Sequence, residues 1–183
     1  MRPLLVYLIV VLILAVAFSI ACTSDDGDDS AIPPPPDAAA IRDVDFAKLP
    51  DVQATLSRLS GAGALDAASV LYADLSGDRR EEAVLPIASG GSAGNLAYLV
   101  YTPRPSGEGP ALVLSRIADR TTAGGLRMEV VEGKLVETVG EYGLEDPLCC
   151  PSILRKTTFR WDGKQLQVER EEKLPNPGAQ HKE

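Results

Sequence analysis

Tight-turn signals between short apolar runs are the feature that most narrows the fold of this chain. Glu132-Gly133-Lys134 separates the runs 126–131 and 135–139, and Asp162-Gly163 separates two later runs. Glycine-containing pairs of this kind favour the tight hairpin turns that join neighbouring antiparallel strands. Apolar and polar residues roughly alternate within the runs, which is typical of a sheet with one face in water. The pattern therefore predicts an antiparallel sheet built from hairpins.

One helix is predicted ahead of the strands. Pro50 and Asp51 suit its first turn, Gly61 suits its end, and its narrow apolar face consists of Val52, Leu56 and Leu59. A narrow face indicates a helix that lies on a sheet. Strands are predicted at 68–73, 82–88, 96–101, 111–118, 126–131, 135–139, 153–161 and 165–169. Pro86 favours an edge position or a bulge in the second strand. The prediction is an α+β domain with a mainly antiparallel sheet of about eight strands and one or two helices packed on it.

The start of the chain predicts export. Arg2 precedes a nearly unbroken apolar run that ends at Cys22, and this order is typical of a secretory signal. Residues 18–22, Phe-Ser-Ile-Ala-Cys, resemble a bacterial lipobox, in which the cysteine becomes the lipidated first residue of the mature chain. Cleavage without lipid is one alternative. An uncleaved anchor helix is the other, because the run is near the roughly 17–20 residues that span a bilayer. All three interpretations place the remainder outside the cytoplasm.

Composition then divides the chain into segments. Residues 1–21 are predicted to be a lipoprotein-type signal peptide, and residues 22–40, with five aspartates and Pro33 to Pro36, a disordered tether. Residues 41–174 form the predicted α+β domain, and residues 175–183 a flexible tail. From residue 41 onward, 17 basic residues stand against 21 acidic ones. This balance offers no basic field for nucleic acid or anionic lipid, so membrane attachment is expected only through the N-terminus.

An acidic loop is the motif that best suits a metal ion. Asp74, Ser76, Asp78 and Glu82 supply side-chain oxygens at loop positions 1, 3, 5 and 9, and the carbonyl of Arg80 would take position 7. Ca²⁺ prefers six to eight oxygen ligands, which a tight loop of alternating residues delivers. The spacing resembles the Ca²⁺ hairpin loops of integrin-type propeller repeats. The alternative is a turn whose aspartates accept backbone N–H bonds and pair with the neighbouring arginines.

The cysteines and the histidine limit the other chemistries. If Cys22 carries lipid, Cys149 and Cys150 remain, and their adjacency predicts a vicinal disulfide that stiffens a turn. A redox role and soft-metal binding are the alternatives. His181 is the only histidine and lies in the polar C-terminal segment, which argues against a Ser-His-Asp triad or a multi-histidine zinc site. No catalytic residue is predicted.

The order of these motifs resembles that of LppP/LprE-type bacterial envelope lipoproteins. The resemblance spans roughly residues 65–170. It rests on Asp-Leu-Ser-Gly-Asp at 74–78 with Glu-Ala-Val at 82–84, the glycine-rich loop 89–94 with Leu-Ala-Tyr at 96–98, Cys-Cys-Pro-Ser at 149–152, and Phe-Arg-Trp-Asp-Gly at 159–163. It implies an exported, membrane-tethered domain without an established activity, and it supplies no catalytic residues.

We therefore expect a non-enzymatic envelope lipoprotein that binds a protein or a small ligand, with no cofactor unless the acidic loop holds Ca²⁺. The alternatives are a carboxylate-based extracytoplasmic hydrolase and a purely structural envelope protein. A pocket lined by two close carboxylates with raised pKa values would favour the hydrolase. A domain without a pocket but with an exposed apolar patch would favour a partner-binding surface.

Overall fold

Antiparallel pairing relates all the strands in the part of the chain that the structure describes. This computed structural model describes residues 41–104, 108–118, 122–147 and 150–180. The strands are β1 (Ala64–Leu65), β2 (Leu71–Ala73), β3 (Glu82–Ala88), β4 (Asn95–Thr102), β5 (Ala111–Ile117), β6 (Thr122–Val131), β7 (Lys134–Glu141), β8 (Ile153–Trp161) and β9 (Leu166–Pro175). The helix is α1 (Pro50–Arg58), and 3-10 turns lie at Phe46–Lys48, Ala67–Ser69 and Pro177–Gln180. The predicted α+β class with a mainly antiparallel sheet is confirmed, with nine strands.

The sheet changes partner along one edge of β4. Its main path runs β1-β3-β4-β6-β7-β8-β9, while β2 pairs with β3 and β5 pairs with β4. Along that edge of β4, Asn95 is paired with Leu126 of β6, and the following residues pair with β5. The strands therefore separate into two layers, β1–β5 and β6–β9, that share a core. That core consists of Leu75, Val84, Tyr98, Val100, Val113, Leu126, Met128, Leu135, Val139, Phe159 and Leu166.

The central strands β3 and β4 are buried on both faces. Their second face forms another core with α1 and the segment before it, made of Ile41, Phe46, Val52, Ala83, Leu85, Ile87, Ala97, Leu99 and Tyr101. This burial explains why both strands are continuously apolar in sequence. Each fully buried aliphatic side chain stabilises the fold by about 1.5–3 kcal/mol relative to exposure. The prediction of one face in water is wrong for these two strands and holds for the middle of β6, where Arg127 is exposed between the buried Leu126 and Met128.

Helix α1 lies on this second face, as the narrow apolar stripe predicts. Val52 is fully buried and Leu56 packs at the margin of the core. The helix ends at Arg58, and the backbone then reverses through Ser60 and Gly61, which have φ of 52° and 79°. Gly61 therefore follows the helix in a left-handed conformation, the geometry that favours glycine after a helix end.

Pro86 occupies a gap in strand pairing. On the edge of β3 opposite β4, β1 pairs with Ile87 and Ala88, and β2 pairs with residues 82–84. The carbonyl oxygen of Pro86 accepts a bond from the Asp66 N–H at 3.1 Å on this same side. In an antiparallel ladder, the N and C=O of one residue point to the same side, so the absent N–H of Pro86 faces the gap. The proline is tolerated inside a central strand because neither β1 nor β2 pairs with this position, so no ladder carbonyl lies opposite the missing N–H.

Strand β9 is longer than predicted because cross-strand ion pairs accommodate its charged residues. The predicted strand ended at residue 169, whereas β9 continues to Pro175. The guanidinium of Arg155 on β8 lies 3.5 Å from the carboxylate of Glu171, and Lys173 lies 2.8 Å from Glu141. Asn176 then donates a bond to the carbonyl of Pro151 at 2.8 Å. The predicted domain end at residue 174 and the flexible tail stay predictions.

A substitution at Gly125 tests how closely the backbone segments approach where the two layers meet. Its φ is 77°, and an added Cβ would lie 2.5 Å from the carbonyl oxygen of Ala93 and 2.7 Å from the backbone of Asn95. We expect Gly125→Ala to lower the free energy of unfolding by roughly 3 kcal/mol or more, because backbone must shift as well as adopt a strained φ. Urea unfolding of the variant measures this loss.

The matched control is Gly133→Ala. Gly133 has a similar φ of 73° but nothing within 4 Å of an added Cβ. We expect this variant to lose only the conformational strain of about 1–2 kcal/mol. Equal losses in the two variants would contradict the close backbone approach at the junction.

Candidate functional site

The acidic loop between β2 and β3 is held by its own side chains. The Asp74 carboxylate accepts the backbone N–H of Gly77 at 2.7 Å and that of Arg79 at 2.9 Å. It also lies 3.5 Å from the hydroxyl of Ser76. Gly77 and Arg79 both have positive φ, at 79° and 68°. One carboxylate therefore closes a tight turn that carries two left-handed residues.

Asp78 pairs with the arginine two residues along. Its carboxylate accepts the backbone N–H of Arg80 at 2.8 Å and two guanidinium bonds at 2.8 and 2.6 Å. Although partial burial acts in the opposite direction, these hydrogen bonds from Arg80 hold the pKa of Asp78 below its usual range. Both aspartates therefore accept backbone N–H groups, as the turn alternative predicts, and Asp78 also pairs with an arginine side chain.

Glu82 ties this loop to the body of the sheet. It is fully buried at the start of β3. One carboxylate oxygen accepts the N–H groups of Leu75 and Ser76 at 2.7 and 3.1 Å, and the other accepts the Thr102 hydroxyl at 2.9 Å. Burial raises the pKa of Glu82, and these hydrogen bonds oppose the rise. The residue predicted as a metal ligand at loop position 9 therefore joins the loop to β4.

The side-chain oxygens that were predicted as calcium ligands already have hydrogen-bond partners within the protein. Asp74, Ser76, Asp78 and Glu82 lie in one loop as predicted, and their side-chain oxygens bond to neighbouring protein groups. Within the described ranges, no group of three or more His, Cys, Asp or Glu side chains is arranged to hold a metal ion. Calcium binding at this loop, including the Arg80 carbonyl, stays a prediction.

The loop before β8 contains the paired-cysteine motif. Cys150 is disulfide-bonded, and its N–H donates to the Pro147 carbonyl at 2.9 Å to close a turn. The Asp146 carboxylate accepts the N–H groups of Ser152 and Gly143, each at 2.6 Å, and these bonds lower the pKa of Asp146. Cys149 lies outside the described residues, as does Cys22, so the vicinal pairing and the lipidation stay predictions.

An ion pair with a buried carboxylate, which the sequence did not predict, connects the two layers. Glu137 on β7 is fully buried, and Arg116 on β5 binds it through two bonds of 2.7 and 2.6 Å. The guanidinium carbon of Arg116 also lies 5.9 Å from the ring centroid of Phe159. Glu137 alternates with Leu135 and Val139 in sequence, so a charged residue at an inward position was the available signal. Removing one partner of such a pair leaves an uncompensated buried charge.

An open groove lies between β5 and the start of β9. Its volume is about 380 Å³. Its walls consist of Leu112, Val113, Leu114 and Ser115 on one side and Gln165, Leu166 and Gln167 on the other. These lining residues include no titratable side chain. A second, smaller cavity of about 100 Å³ lies near the start of the domain, where it is lined by residues that include Ile41, Arg104 and Glu108.

Comparison of the chain with protein-family models, with curated proteins and with solved structures finds no match. The resemblance to LppP/LprE-type lipoproteins therefore stays an expectation that rests on the order of the motifs. Across the described ranges, no helix is both long enough and apolar enough to cross a membrane.

Glu82→Gln is expected to change the pH dependence of stability. Because burial raises the pKa of Glu82 above its usual value of 4.5, the folded chain binds this proton more tightly than the unfolded chain does. The contribution of Glu82 to the free energy of unfolding is full below that value and falls as the pH rises through the folded-state pKa. Glutamine keeps the shape and removes this fall. Urea unfolding between about pH 4 and pH 8 measures both profiles.

Two variants complete this test. Glu82→Ala leaves three donors without an acceptor and should cost roughly 3 kcal/mol at neutral pH. Glu81→Gln changes the neighbouring carboxylate, which pairs with Arg42 at the surface, and should leave the Glu82-dependent fall in place. Parallel pH profiles for the unmodified chain and Glu82→Gln would contradict a raised pKa of Glu82 in the folded chain.

Proposed function

We propose that this chain is an exported, membrane-tethered lipoprotein of the cell envelope whose domain binds a protein or a small ligand and catalyses no reaction. The apolar N-terminal run that ends at Cys22 supports export and tethering. Two or three acyl chains on Cys22 would be enough for stable anchoring. The order of motifs that resembles LppP/LprE-type lipoproteins supports the same location.

The main support for the proposed ligand binding is the groove between β5 and β9. At about 380 Å³ it lies in the size range of ligand sites, and its walls combine apolar side chains with Ser115, Gln165 and Gln167. Such walls offer contact area and hydrogen bonds. They offer no acid or base for proton transfer, which general acid–base catalysis requires.

The hydrolase alternative has weaker support in the described residues. A carboxylate-based mechanism needs a carboxyl group with a raised pKa beside a cavity that a substrate can enter. The pKa of Glu82 is raised, but its side chain is fully buried and lines neither described cavity. Its three hydrogen bonds to Leu75, Ser76 and Thr102 support a structural role.

Cys22→Ser tests the tethering part of the proposal. We expect the unmodified chain to be membrane-bound with an intact mass that lacks residues 1–21 and includes acyl chains. The variant should be released from the membrane or accumulate as an uncleaved precursor, because the thiol that accepts the lipid is gone. Mass spectrometry of the extracted protein measures both. A native mass that retains residues 1–21 without lipid would replace the lipoprotein with an anchored protein.

The same membranes test the binding part. A photo-reactive residue in place of Gln167 lies in the groove, and one in place of Arg127 lies on the exposed face of β6. We expect a crosslinked species from the groove position that is absent from the β6 position. Identical crosslinking patterns, or none at Gln167, would contradict binding at the groove.

A further inference from the structure

We propose that the groove takes an extended, uncharged segment of a partner polypeptide, which adds as a strand to the outer edge of β5. This inference rests on the proposed binding function and names its ligand class. Strand addition of this kind draws affinity from main-chain hydrogen bonds and specificity from alternate side chains.

The backbone of β5 supplies the first support. Among the described residues, β5 pairs with β4 alone, along Ala111–Ile117. The lining residues of the groove include none from β4, so the groove runs along the opposite edge of β5. An edge strand presents unpaired N–H and C=O groups there. The four residues of β5 that line the groove, 112–115, extend about 13 Å, and an extended segment can pair along them.

The other wall is also a strand edge. Leu166 and Gln167 begin β9, whose strand partner among the described residues is β8. The groove is therefore bordered by main chain on both sides. Arg116 holds β5 in position through its paired bonds to the buried Glu137, so this wall is anchored to the opposite layer. In β5, Val113 is the extra residue of a bulge that lies opposite Val100 and Tyr101 of β4, and its side chain packs in the core. The neighbouring Leu112 is more than a third exposed beside the groove.

The lining of the groove is uncharged, whereas the later part of β9 is rich in charged residues. The later part of β9 contains Glu169, Arg170, Glu171, Glu172 and Lys173, and charged residues protect a strand edge from pairing. The groove instead places Leu112, Leu114 and Leu166 beside neutral polar groups. A charged side chain in this neutral groove would lose hydration without gaining a partner. An uncharged segment is therefore the complementary occupant.

A partner polypeptide suits the groove better than a second copy of this chain. In each copy, β5 faces its own wall at Gln165–Gln167. Two copies could not pair β5 to β5 unless both walls moved away. A separate extended segment can enter the groove with both walls in place.

The test uses the full chain in detergent micelles and a capped heptapeptide of alternating threonine and valine as the probe. A second peptide has the same sequence with an N-methyl group on every residue, which removes the main-chain donors of both its edges. We expect hydrogen exchange of β5 amides to slow with the first peptide and to stay unchanged with the second. We also expect Leu112→Lys to weaken binding by at least about tenfold and Leu174→Lys, a similarly exposed site on β9, to leave it unchanged.

Three results would overturn the inference. Absence of β5 protection at saturating peptide would exclude strand addition, and equal binding of the N-methylated peptide would assign the groove to side-chain recognition. Protection of β5 that rises with protein concentration without peptide would assign the edge to self-association. If the peptide gives no protection of β5 while crosslinking from Gln167 persists, strand addition is excluded and the proposed binding function stands.

Discussion

The burial of β3 and β4 on both faces is the constraint on which the rest of this structure depends. Val84 and Val100 face the core shared with β6–β9, and Leu85 and Leu99 face the core under α1. A strand pair covered on both sides needs two separate apolar layers to exclude water. The helix, the segment around Phe46 and the second layer of strands supply them. Glu82 begins β3 at the margin of this region, so its carboxylate requires the hydrogen bonds of the acidic loop.

The divided edge of β4 gives the domain its open groove. Since β6 takes only the first position of that edge, β5 pairs with the remainder, and the middle of β5 lies across the groove from the start of β9. Gly125 permits the close backbone approach at the division. The ion pair between Arg116 and the buried Glu137 then joins β5 to the second layer. The groove is thus a consequence of the strand order, and its neutral walls suit binding better than proton transfer.

The sequence predicts much of this fold and less of its site. The predicted strands 82–88 and 153–161 have the observed bounds, because apolar content and turn residues mark both ends. Strand β1 was missed because its two residues carry no periodic signal. Strand β9 was predicted too short, because a charged run shows no apolar alternation and its ion-pair partners lie on other strands. Glu137 was missed for a similar reason: its partner Arg116 is 21 residues away in sequence.

The acidic loop was located correctly from its spacing, whereas its hydrogen bonds depend on contacts that spacing does not contain. Thr102, for example, lies 20 residues from Glu82 and contacts it only through the β3–β4 pairing. The groove was not predicted at all, since it arises where β5 and β9 meet in space. Local patterns thus define elements, and the order of strands defines the site.

Native-state hydrogen exchange of the full chain in micelles tests the central claim most directly. If the doubly covered pair supports the fold and the groove is an open edge, amides that join β3 to β4 exchange only through global unfolding, and outward amides of β5 exchange through local opening. Urea dependence of each rate separates the two routes. Exchange of β3 and β4 faster than that of β7 and β8, or outward β5 amides as protected as β4, would contradict this account.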